Sequence, residues 1–316
     1  MIRKHSVGED LIHCAFAASE SYWQHLGVAI TSMLASSPSR SFDLHIVHDG
    51  VTAANLAKME GAVAIPGRVQ VSFHKFDAAR YRHFRLHEHL TLVSYFRLFL
   101  GEILPAEIER VLYIDSDVVV LDDVAALWET DLEGKLVAAV PDPFGSENER
   151  LGLPPDYTYF NSGVLLIDLA GWRATGILPD FVRYIEENHE RAHYLDQDAL
   201  NGVLFERVKY LDYRWNFQAR TGAEHVAKLG YDRQGFAALR KRPGIVHFTS
   251  SRKPWNYRPD VAFERAYLEQ VEKSPWAGYR QPDRTLGLVL RRYFIRGVRA
   301  LPFARQAWRA YRKRVG

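Results

Sequence analysis

The sequence predicts an α/β protein with a mostly parallel central sheet flanked by helices, followed by a basic helical tail. Two observations favour this fold. Apolar runs of strand length alternate along the chain with segments of helical spacing, as in βαβ units. In addition, 47% of the 316 residues are hydrophobic, which suffices for a large core.

The first half of the chain alternates strand and helix signals. Apolar runs at 11–18, 42–48 and 69–73 predict strands, and the segments 21–35 and 52–64 between them have helical spacing, with Thr52 as a helix cap. Cys14 is the one cysteine and lies in the first predicted strand. We therefore expect a buried structural thiol and no intramolecular disulfide.

The same signals continue through the second half. They predict strands at 110–114, 136–140, 163–169 and 245–248, and helices at 94–104, 179–189 and 196–205. Residues 141–158 contain four prolines and two glycines, which indicates a long loop of the kind that often covers a binding site.

Asp115 and Asp117 follow an apolar strand at its carboxyl end, the edge at which open α/β sheets bind ligands. Such carboxylates suit Mg²⁺ or Mn²⁺ bound to a substrate diphosphate. They share one face if the strand continues, or splay around one ion if Ser116 forms a turn. A polar strand end that faces water explains the same pattern.

Other polar residues have both a structural and a functional interpretation. His247 lies in an apolar strand, as a core histidine or as a third ligand that favours Mn²⁺. Lys253 is a surface lysine or a cation that neutralises a leaving diphosphate. Arg97 lies in an apolar helix and needs a partner, such as a phosphate or a carboxylate.

Two further motifs are weak by themselves. Asp196 and Asp198 open a predicted helix, where capping alone accounts for acidic residues, but capping does not require Gln197. Asn161 and Gly163 form an Asn-x-Gly pattern, a common turn signal before a strand.

Taken together and in order, these segments resemble glycosyltransferase family 8, retaining enzymes that include glycogenin and bacterial lipopolysaccharide galactosyl- and glucosyltransferases. The resemblance spans residues 11–260. Its matching segments are 16–22, 94–98, 111–117, 159–166, 195–201 and 245–248 with 253–255.

The resemblance implies a GT-A fold, in which a Rossmann-like nucleotide-binding half merges with an acceptor half. It implies that Asp115, Asp117 and His247 bind Mn²⁺, with Mg²⁺ as an alternative, and that Gln197, Asp196 and Asp142 serve catalysis. The donor-binding residues implied are Ala17, Ser19, Tyr22, Arg97, Asp115, Ser116, Asn161, Ser250 and Lys253. Two positions depart from the family pattern: Ser19, followed by Glu20, stands where an aspartate usually contacts the nucleobase, and Ser250 replaces a common glycine.

The implied function is Mn²⁺-dependent transfer, with retention, of glucose or galactose from a UDP-sugar to a glycan or glycolipid acceptor such as a lipopolysaccharide. We expect front-face attack with the leaving phosphate as base. Two alternatives remain at this point: a catalytically impaired carbohydrate-binding or scaffold protein, and a different Asp-x-Asp enzyme of phosphoryl or nucleotidyl transfer.

The charge distribution divides the chain into a catalytic domain at 1–283 and a tail at 284–316. The tail carries ten of the 41 lysines and arginines and no acid, which leaves 31 bases against 38 acids in the body. The acidic body argues against nucleic-acid binding. The amphipathic tail, which includes Phe303, Trp308 and Tyr311, suits an anionic membrane surface, or packs on the body instead.

We find no signal peptide and no run of 18 apolar residues in the sequence. We therefore expect a cytoplasmic enzyme that associates peripherally with the inner face of the cytoplasmic membrane.

Overall fold

The computed structural model describes residues 11–77, 92–145, 148–188, 190–191, 194–257 and 261–300. Its strands are β1 (Leu11–Ala18), β2 (Ser41–His48), β3 (Val69–Lys75), β4 (Arg110–Ile114), β5 (Val118–Val120), β6 (Val137–Pro141), β7 (Phe160–Asp168), β8 (Val208–Tyr210), β9 (Phe217–Gln218) and β10 (Ile245–His247). Its helices are α1 (Trp23–Ser36), α2 (Ala53–Val63), α3 (Leu100–Ile103), α4 (Ala125–Trp128), α5 (Leu169–Thr175), α6 (Leu178–Asn188), α7 (Leu195–Leu204), α8 (Ala223–Val226), α9 (Arg233–Lys241), α10 (Glu264–Val271) and α11 (Leu286–Ala300).

The main sheet has seven strands in the order β3-β2-β1-β4-β7-β6-β8. β3, β2, β1 and β4 run parallel to one another, and β8 runs parallel to β6. β7 runs antiparallel to both of its neighbours, β4 and β6. The predicted α/β fold with a mostly parallel sheet is therefore confirmed. Since β1 and β4 are adjacent and parallel, their carboxyl ends meet at one edge of the sheet.

A smaller sheet of β5, β10 and β9 stands beside this edge. The chain leaves the main sheet at Ile114 and enters the smaller sheet at Val118, so residues 115–117 link the two sheets. Of the two geometries open for Asp115 and Asp117, the continuing strand is wrong, because the chain bends at Ser116 and Asp117. β10 pairs antiparallel with β5, and this pairing sets His247 opposite Val118.

Both faces of the central strands of the main sheet are buried, as continuous apolar strands predict. In β1, Cys14 and Phe16 face one hydrophobic layer, whereas Ala15 and Ala17 face the other. Cys14 is fully buried, and its burial raises the pKa of the thiol well above the usual range. The prediction of a buried structural thiol is confirmed.

The predicted helix at 94–104 has a different local structure. Residues Leu92–Phe99 form a 3₁₀ segment, and only Leu100–Ile103 are α-helical. Within this segment Nε of Arg97 donates to the carbonyl of Ser94 at 3.0 Å, the acceptor that the amide of Leu98 would use in an α-helix. The side chain of Arg97 thus competes with regular α-helical bonding.

The Asn-x-Gly pattern is not a turn. Asn161 and Gly163 lie inside β7, which begins at Phe160. The carbonyl of Gly163 accepts the amide of Asp115 at 2.8 Å, so β7 supports the linker between the sheets.

The predicted tail is described up to residue 300. α11 packs on the body through an ion pair between Arg292 and Glu264, while Leu286, Leu290, Tyr293 and Phe294 are exposed. The predicted apolar positions Phe303, Trp308 and Tyr311 lie outside the described residues. Within the described ranges, no helix combines the length and the apolar character needed to cross a bilayer.

Candidate active site

The polar side chains predicted from sequence gather at the edge where β1 and β4 end. The hydroxyl of Ser116 donates to the carbonyl of Ala17 at 2.9 Å and thereby joins the two strand ends. Two adjoining cavities open here, of about 360 and 240 Å³. Arg97, Asp115 and Asp117 line both cavities, so they mark the point where the cavities meet.

Asp115, Asp117 and His247 form a candidate metal centre at this point. Nε2 of His247 lies 3.1 Å from Oδ1 of Asp117 and 3.6 Å from Oδ2 of Asp115. One ligand atom from each residue lies within 4.8 Å of the others. Two carboxylates and one imidazole are a donor set that suits Mn²⁺.

A chain of hydrogen bonds fixes the tautomer of His247. The amide of Gly163 donates to Oδ1 of Asn161 at 3.0 Å, which identifies that atom as the oxygen. Nδ2 of Asn216 donates to the same oxygen at 2.8 Å, so Oδ1 of Asn216 is the atom that faces Nδ1 of His247 at 2.9 Å. Nδ1 therefore carries a proton, which leaves Nε2 as the imidazole nitrogen that can ligate a cation beside the two carboxylates.

Gly163 provides the space beneath this centre. A Cβ atom at this position would lie 2.2 Å from Cε1 of His247 and 2.8 Å from Oδ2 of Asp115. Two of the three candidate ligands, His247 and Asp115, thus pack against a position that only glycine fills without displacement. This arrangement fits a bound cation.

Lys253 reaches the centre from the other side. Its Nζ atom donates to Oδ2 of Asp117 at 2.6 Å and to the carbonyl of Phe248 at 2.5 Å. Burial alone would lower the pKa of Lys253, but the adjacent Asp117 raises it above its usual value. Burial likewise opposes ionisation of Asp117, yet Lys253 and His247 hold the pKa of that carboxyl well below its usual range. Both groups are therefore charged at neutral pH.

Arg97 is buried between the two cavities and finds its partners among carboxylates. Its guanidinium lies 2.9 Å from Oδ1 of Asp115 and 3.2 Å from Oδ2 of Asp196, and it donates to the carbonyl of Ser162 at 2.7 Å. Burial raises the pKa of Asp196 to about 6, although Arg97 lowers it. The sequence predicted that buried Arg97 needs a partner, and the structure provides two, Asp115 and Asp196.

The smaller cavity is lined by amide and carboxylate side chains that hydrogen-bond to one another. Nδ2 of Asn161 donates to Oδ2 of Asp142 at 3.1 Å and to Oε1 of Gln197 at 3.0 Å. Oε1 of Gln197 also accepts the amide of Ser162 at 3.0 Å, and Nε2 of Gln218 donates to Oδ1 of Asp142 at 2.9 Å. These bonds hold Gln197 and Asp142 in fixed orientations.

Glu20 follows Ser19 in the chain but does not take the role of the aspartate that is usual in the family at position 19. Its carboxylate accepts the amide of Thr52 at 3.0 Å, the hydroxyl of Thr52 at 2.9 Å and Nδ2 of Asn55 at 2.8 Å. Glu20 therefore binds the N-terminus of α2. Ser19 and Tyr22 line the larger cavity instead.

The predicted site residues all lie in the described part of the chain, and all except Ser250 and Lys253 line a cavity. The hydroxyl of Ser250 accepts the amide of Arg252 at 3.2 Å. Sequence reasoning missed other polar residues of the site, among them Tyr113, Ser162, Asn216, Gln218, Tyr194 and Arg220. Asn216 and Gln218 alternate with Phe217 next to apolar residues, and this alternation was the available signal.

Comparisons with known proteins are consistent with this arrangement. Residues 13–258 match the model of glycosyl transferase family 8. General stress protein A of Bacillus subtilis (strain 168) is 29% identical over 276 residues, which cover 85% of this chain and 96% of that protein. The lipopolysaccharide 1,2-glucosyltransferase of Escherichia coli (strain K12) is 22% identical over 92% of this chain and 88% of its own.

The fold is also similar to a solved enzyme structure. A crystal structure of the galactosyltransferase LgtC in complex with donor and acceptor sugar analogues has a TM-score of 0.72 to this chain. The two chains are 28% identical, and the match covers 83% of this chain and 96% of that one.

Proposed function

This chain belongs to glycosyl transferase family 8, and we propose that it is a retaining hexosyltransferase that uses a UDP-sugar and Mn²⁺. The proposed donor sugar is glucose or galactose, and the proposed acceptor is a lipopolysaccharide or another glycan or glycolipid. The observation that carries this proposal is the convergence of Asp115, Asp117 and His247 where two cavities meet. The names of the Escherichia coli relative, a glucosyltransferase, and of LgtC, a galactosyltransferase, support it.

In this proposal the donor spans both cavities. The nucleoside occupies the larger one, beside Ser19 and Tyr22, and the sugar occupies the smaller one, beside Asp142 and Gln197. The diphosphate then lies between them, next to Asp117. Since Glu20 is engaged with α2, the hydroxyl of Ser19 is the polar group that the chain offers to the base at this position.

Asp115, Asp117 and Nε2 of His247 are the proposed ligands of Mn²⁺, and their convergence supports the fit. When bound, Mn²⁺ supplies positive charge that stabilises a leaving diphosphate. The contact between Asn216 and His247 holds the imidazole in the tautomer that can ligate.

The side chains of the protein have distinct proposed roles in transfer. The ammonium of Lys253, 2.6 Å from Asp117, stabilises negative charge on the departing nucleoside diphosphate. Gln197 lies beside the reacting carbon, and its bonds to Asn161 and Ser162 keep its amide from rotating. The acceptor hydroxyl attacks from the face that the diphosphate leaves, and a leaving-group oxygen accepts its proton, which gives retention.

The acceptor is proposed to approach along the outer wall of the smaller cavity. Phe144, Tyr194 and Arg220 line this wall, and Cζ of Arg220 lies 3.7 Å from the centre of the Phe144 ring. Tyr194 is 55% exposed and presents an aromatic face at the rim. Aromatic faces and a guanidinium are groups on which a sugar ring and its hydroxyls can bind.

We also propose that residues 284–316 form a module that binds the anionic inner face of the cytoplasmic membrane. Arg292 points to the body and pairs with Glu264, so the opposite side of α11 is free to face a bilayer. That side carries Leu286, Leu290 and Tyr293, which are each more than 60% exposed. Basic residues around an exposed apolar face suit a membrane rich in anionic lipid.

The decisive experiment is a donor screen with the full chain. UDP-glucose, UDP-galactose and the corresponding GDP- and ADP-sugars are incubated with Mn²⁺ or with a chelator, and the released nucleotide and sugar are identified. We expect Mn²⁺-dependent release of UDP and an α-linked product from an α-linked donor when an acceptor is present. Release of UMP would identify phosphoryl or nucleotidyl chemistry, and a β-linked product by NMR would contradict retention.

Asp117→Asn tests the metal centre in the same assay. This variant should lose turnover by orders of magnitude, because the centre loses a charged ligand. Asp180→Asn changes a half-exposed aspartate on α6 that pairs with Arg183, away from the cavities, and is the matched control. If the two variants have equal Mn²⁺-dependent turnover, the assignment of Asp117 as a ligand is wrong. If the wild-type chain binds sugars but turns over no donor, it is a binding or scaffold protein.

A further inference from the structure

A second cluster of imidazole and carboxylate groups lies on the main sheet, away from the cavities. His13 is on β1, and Asp43 and His45 are on β2, where His13 and Asp43 are direct neighbours in the parallel register. Nδ1 of His13 lies 3.1 Å from Oδ2 of Asp43, and Nε2 of His45 lies 3.2 Å from the same oxygen. All three ligand atoms lie within 4.8 Å of one another.

The cluster is mostly enclosed but open on one side. The side chain of His45 is 2% exposed, that of Asp43 is 16% exposed, and that of His13 is 25% exposed. Farther along the same face of the strands, Ala15 and Val47 belong to the hydrophobic core. An ion could therefore reach the cluster past His13, while the core closes it from the other side.

The geometry resembles that of donors around one small ion. Two ligand atoms on a tetrahedral ion at about 2.0–2.1 Å are separated by roughly 3.3 Å. The two nitrogen-to-oxygen distances here, 3.1 and 3.2 Å, are close to that separation. A bound ion would replace the protons that now join the imidazoles to Asp43.

A residue next to the cluster, His74, also fits a metal site. Nδ1 of His45 lies 3.1 Å from Nε2 of His74 on β3. If His45 binds an ion through Nε2, the ring proton lies on Nδ1, which can donate to Nε2 of His74. Ligating histidines nearly always donate their second ring N–H to an acceptor, usually an oxygen, and the contact fixes the tautomer and the ring orientation. Here the acceptor is the ring nitrogen of His74.

We propose that His13, Asp43 and His45 form a second divalent-metal site, and that His74 is a positioning residue for His45. Two imidazoles and one carboxylate select Zn²⁺ or Co²⁺ over the Mn²⁺ suited to the carboxylate-rich centre at Asp115 and Asp117. An ion at this site bonds β1 to β2 through side chains. It therefore stabilises the sheet and takes no part in transfer.

The two metal centres share no ligand. His13 precedes the end of β1 at Ala18 by five residues, which corresponds to about 16 Å along a strand. The second site can thus be tested in protein whose first site is disabled, and its failure would leave the proposed transferase function untouched.

The experiment measures Co²⁺ and Zn²⁺ binding to tag-free, full-length Asp117→Asn protein. We expect one Co²⁺ per chain with visible absorption bands, displacement of that ion by Zn²⁺, and a higher Tm with Zn²⁺. Adding His13→Ala or Asp43→Asn should abolish the bands and the Tm increase. Adding His74→Ala should weaken binding by about 10–100-fold, the usual effect of losing such a partner.

The matched control is His225→Ala. Nδ1 of His225 lies 3.5 Å from Oε1 of Glu224, and its side chain is 30% exposed, so it is a half-exposed histidine beside a carboxylate outside the cluster. This change should leave the bands unaltered. Melting without metal checks that the His13→Ala protein folds. Absence of stoichiometric Co²⁺ in the Asp117→Asn protein, or equal binding after His13→Ala, would overturn the proposal.

Discussion

Oδ1 of Asn216 lies 2.9 Å from Nδ1 of His247, and this contact determines which imidazole nitrogen faces Asp115 and Asp117. Asn216 is fully buried and its own orientation is set by Asn161. The candidate metal centre therefore depends on a residue that would not itself touch the ion.

Replacing Asn216 should weaken metal binding more than it weakens the fold. We expect Asn216→Ala to raise the Mn²⁺ concentration needed for half-maximal turnover by about 10–100-fold, because His247 loses its orienting acceptor. Asn216→Asp keeps an acceptor for His247 and should retain more of the Mn²⁺ response. The control is Asn188→Ala, which removes a buried asparagine that bonds within α6. If Asn216→Ala changes only Tm, the residue has a purely structural role.

Gly163→Ala should damage the centre through one methyl group. The new Cβ would lie 2.2 Å from Cε1 of His247, so the imidazole or the strand must shift. Overpacking of this kind costs about 1–3 kcal/mol of stability. We expect a larger loss of Mn²⁺-dependent turnover than of stability, measured side by side. Gly101→Ala is the control, since its Cβ would meet nothing nearer than 3.8 Å. Equal activity in both variants would show that the centre tolerates the displacement.

The carboxylate of Asp43 should make the free energy of unfolding depend on pH. Burial opposes its ionisation, but hydrogen bonds from His13 and His45 lower its pKa well below the usual value of 3.8. The unfolded chain therefore binds this proton more readily, so the stabilisation is present above pH 3.8 and is lost as pH falls below it. We expect Asp43→Asn to be less stable than wild type at pH 7, and the gap to shrink below about pH 4.

Urea unfolding of both proteins between about pH 3 and pH 7, in the presence of a chelator, measures this gap. A gap that stays constant over the whole range would show that the charge of Asp43 contributes nothing. The chelator matters because a bound ion would add a separate pH-dependent term.

Removing residues 284–316 should release the protein from anionic vesicles and leave donor hydrolysis largely intact. If half of the ten bases engage the surface at about 1 kcal/mol each, the attraction is roughly 5 kcal/mol. High salt should weaken it, because exposed charges are screened over about 8–10 Å. Vesicle co-sedimentation at low and high salt measures the effect.

A double variant separates loss of membrane contact from loss of packing. Leu290→Glu with Phe294→Glu changes the exposed side of α11 and leaves the pair between Arg292 and Glu264 in place. It should reduce vesicle binding without lowering Tm. Should full-length protein ignore anionic vesicles at low salt, the tail is a packing or partner surface.

The parts of the fold that the sequence predicted are those with local signals. The strand at 110–114 has the observed bounds, and Thr52 caps α2 as its residue type suggests. Asp115 and Asp117 were found because a polar motif directly follows an apolar strand. The sequence did not predict that these residues connect two sheets. The small sheet forms only when β5 pairs with β10, which comes about 125 residues later in the chain.

What escaped prediction depends on contacts between distant segments. Asn216 has no motif of its own, and its importance arises only when residue 247 lies beside it. The use of Glu20 to bind α2 requires that Thr52 stand opposite it. The cluster of His13, Asp43 and His45 depends in the same way on the register of β1 and β2.

Arg97 contacts Asp115 at 2.9 Å and Asp196 at 3.2 Å, so one guanidinium forms ion pairs with two carboxylates. A cation that binds Asp115 competes with the guanidinium of Arg97 for that carboxylate. The ion pair between Arg97 and Asp196 is then strengthened. The affinity for the cation and the affinity for whatever binds beside Asp196 are then reciprocally coupled. Coupling between cation binding and ligand binding in the smaller cavity thus follows from the position of a single buried side chain.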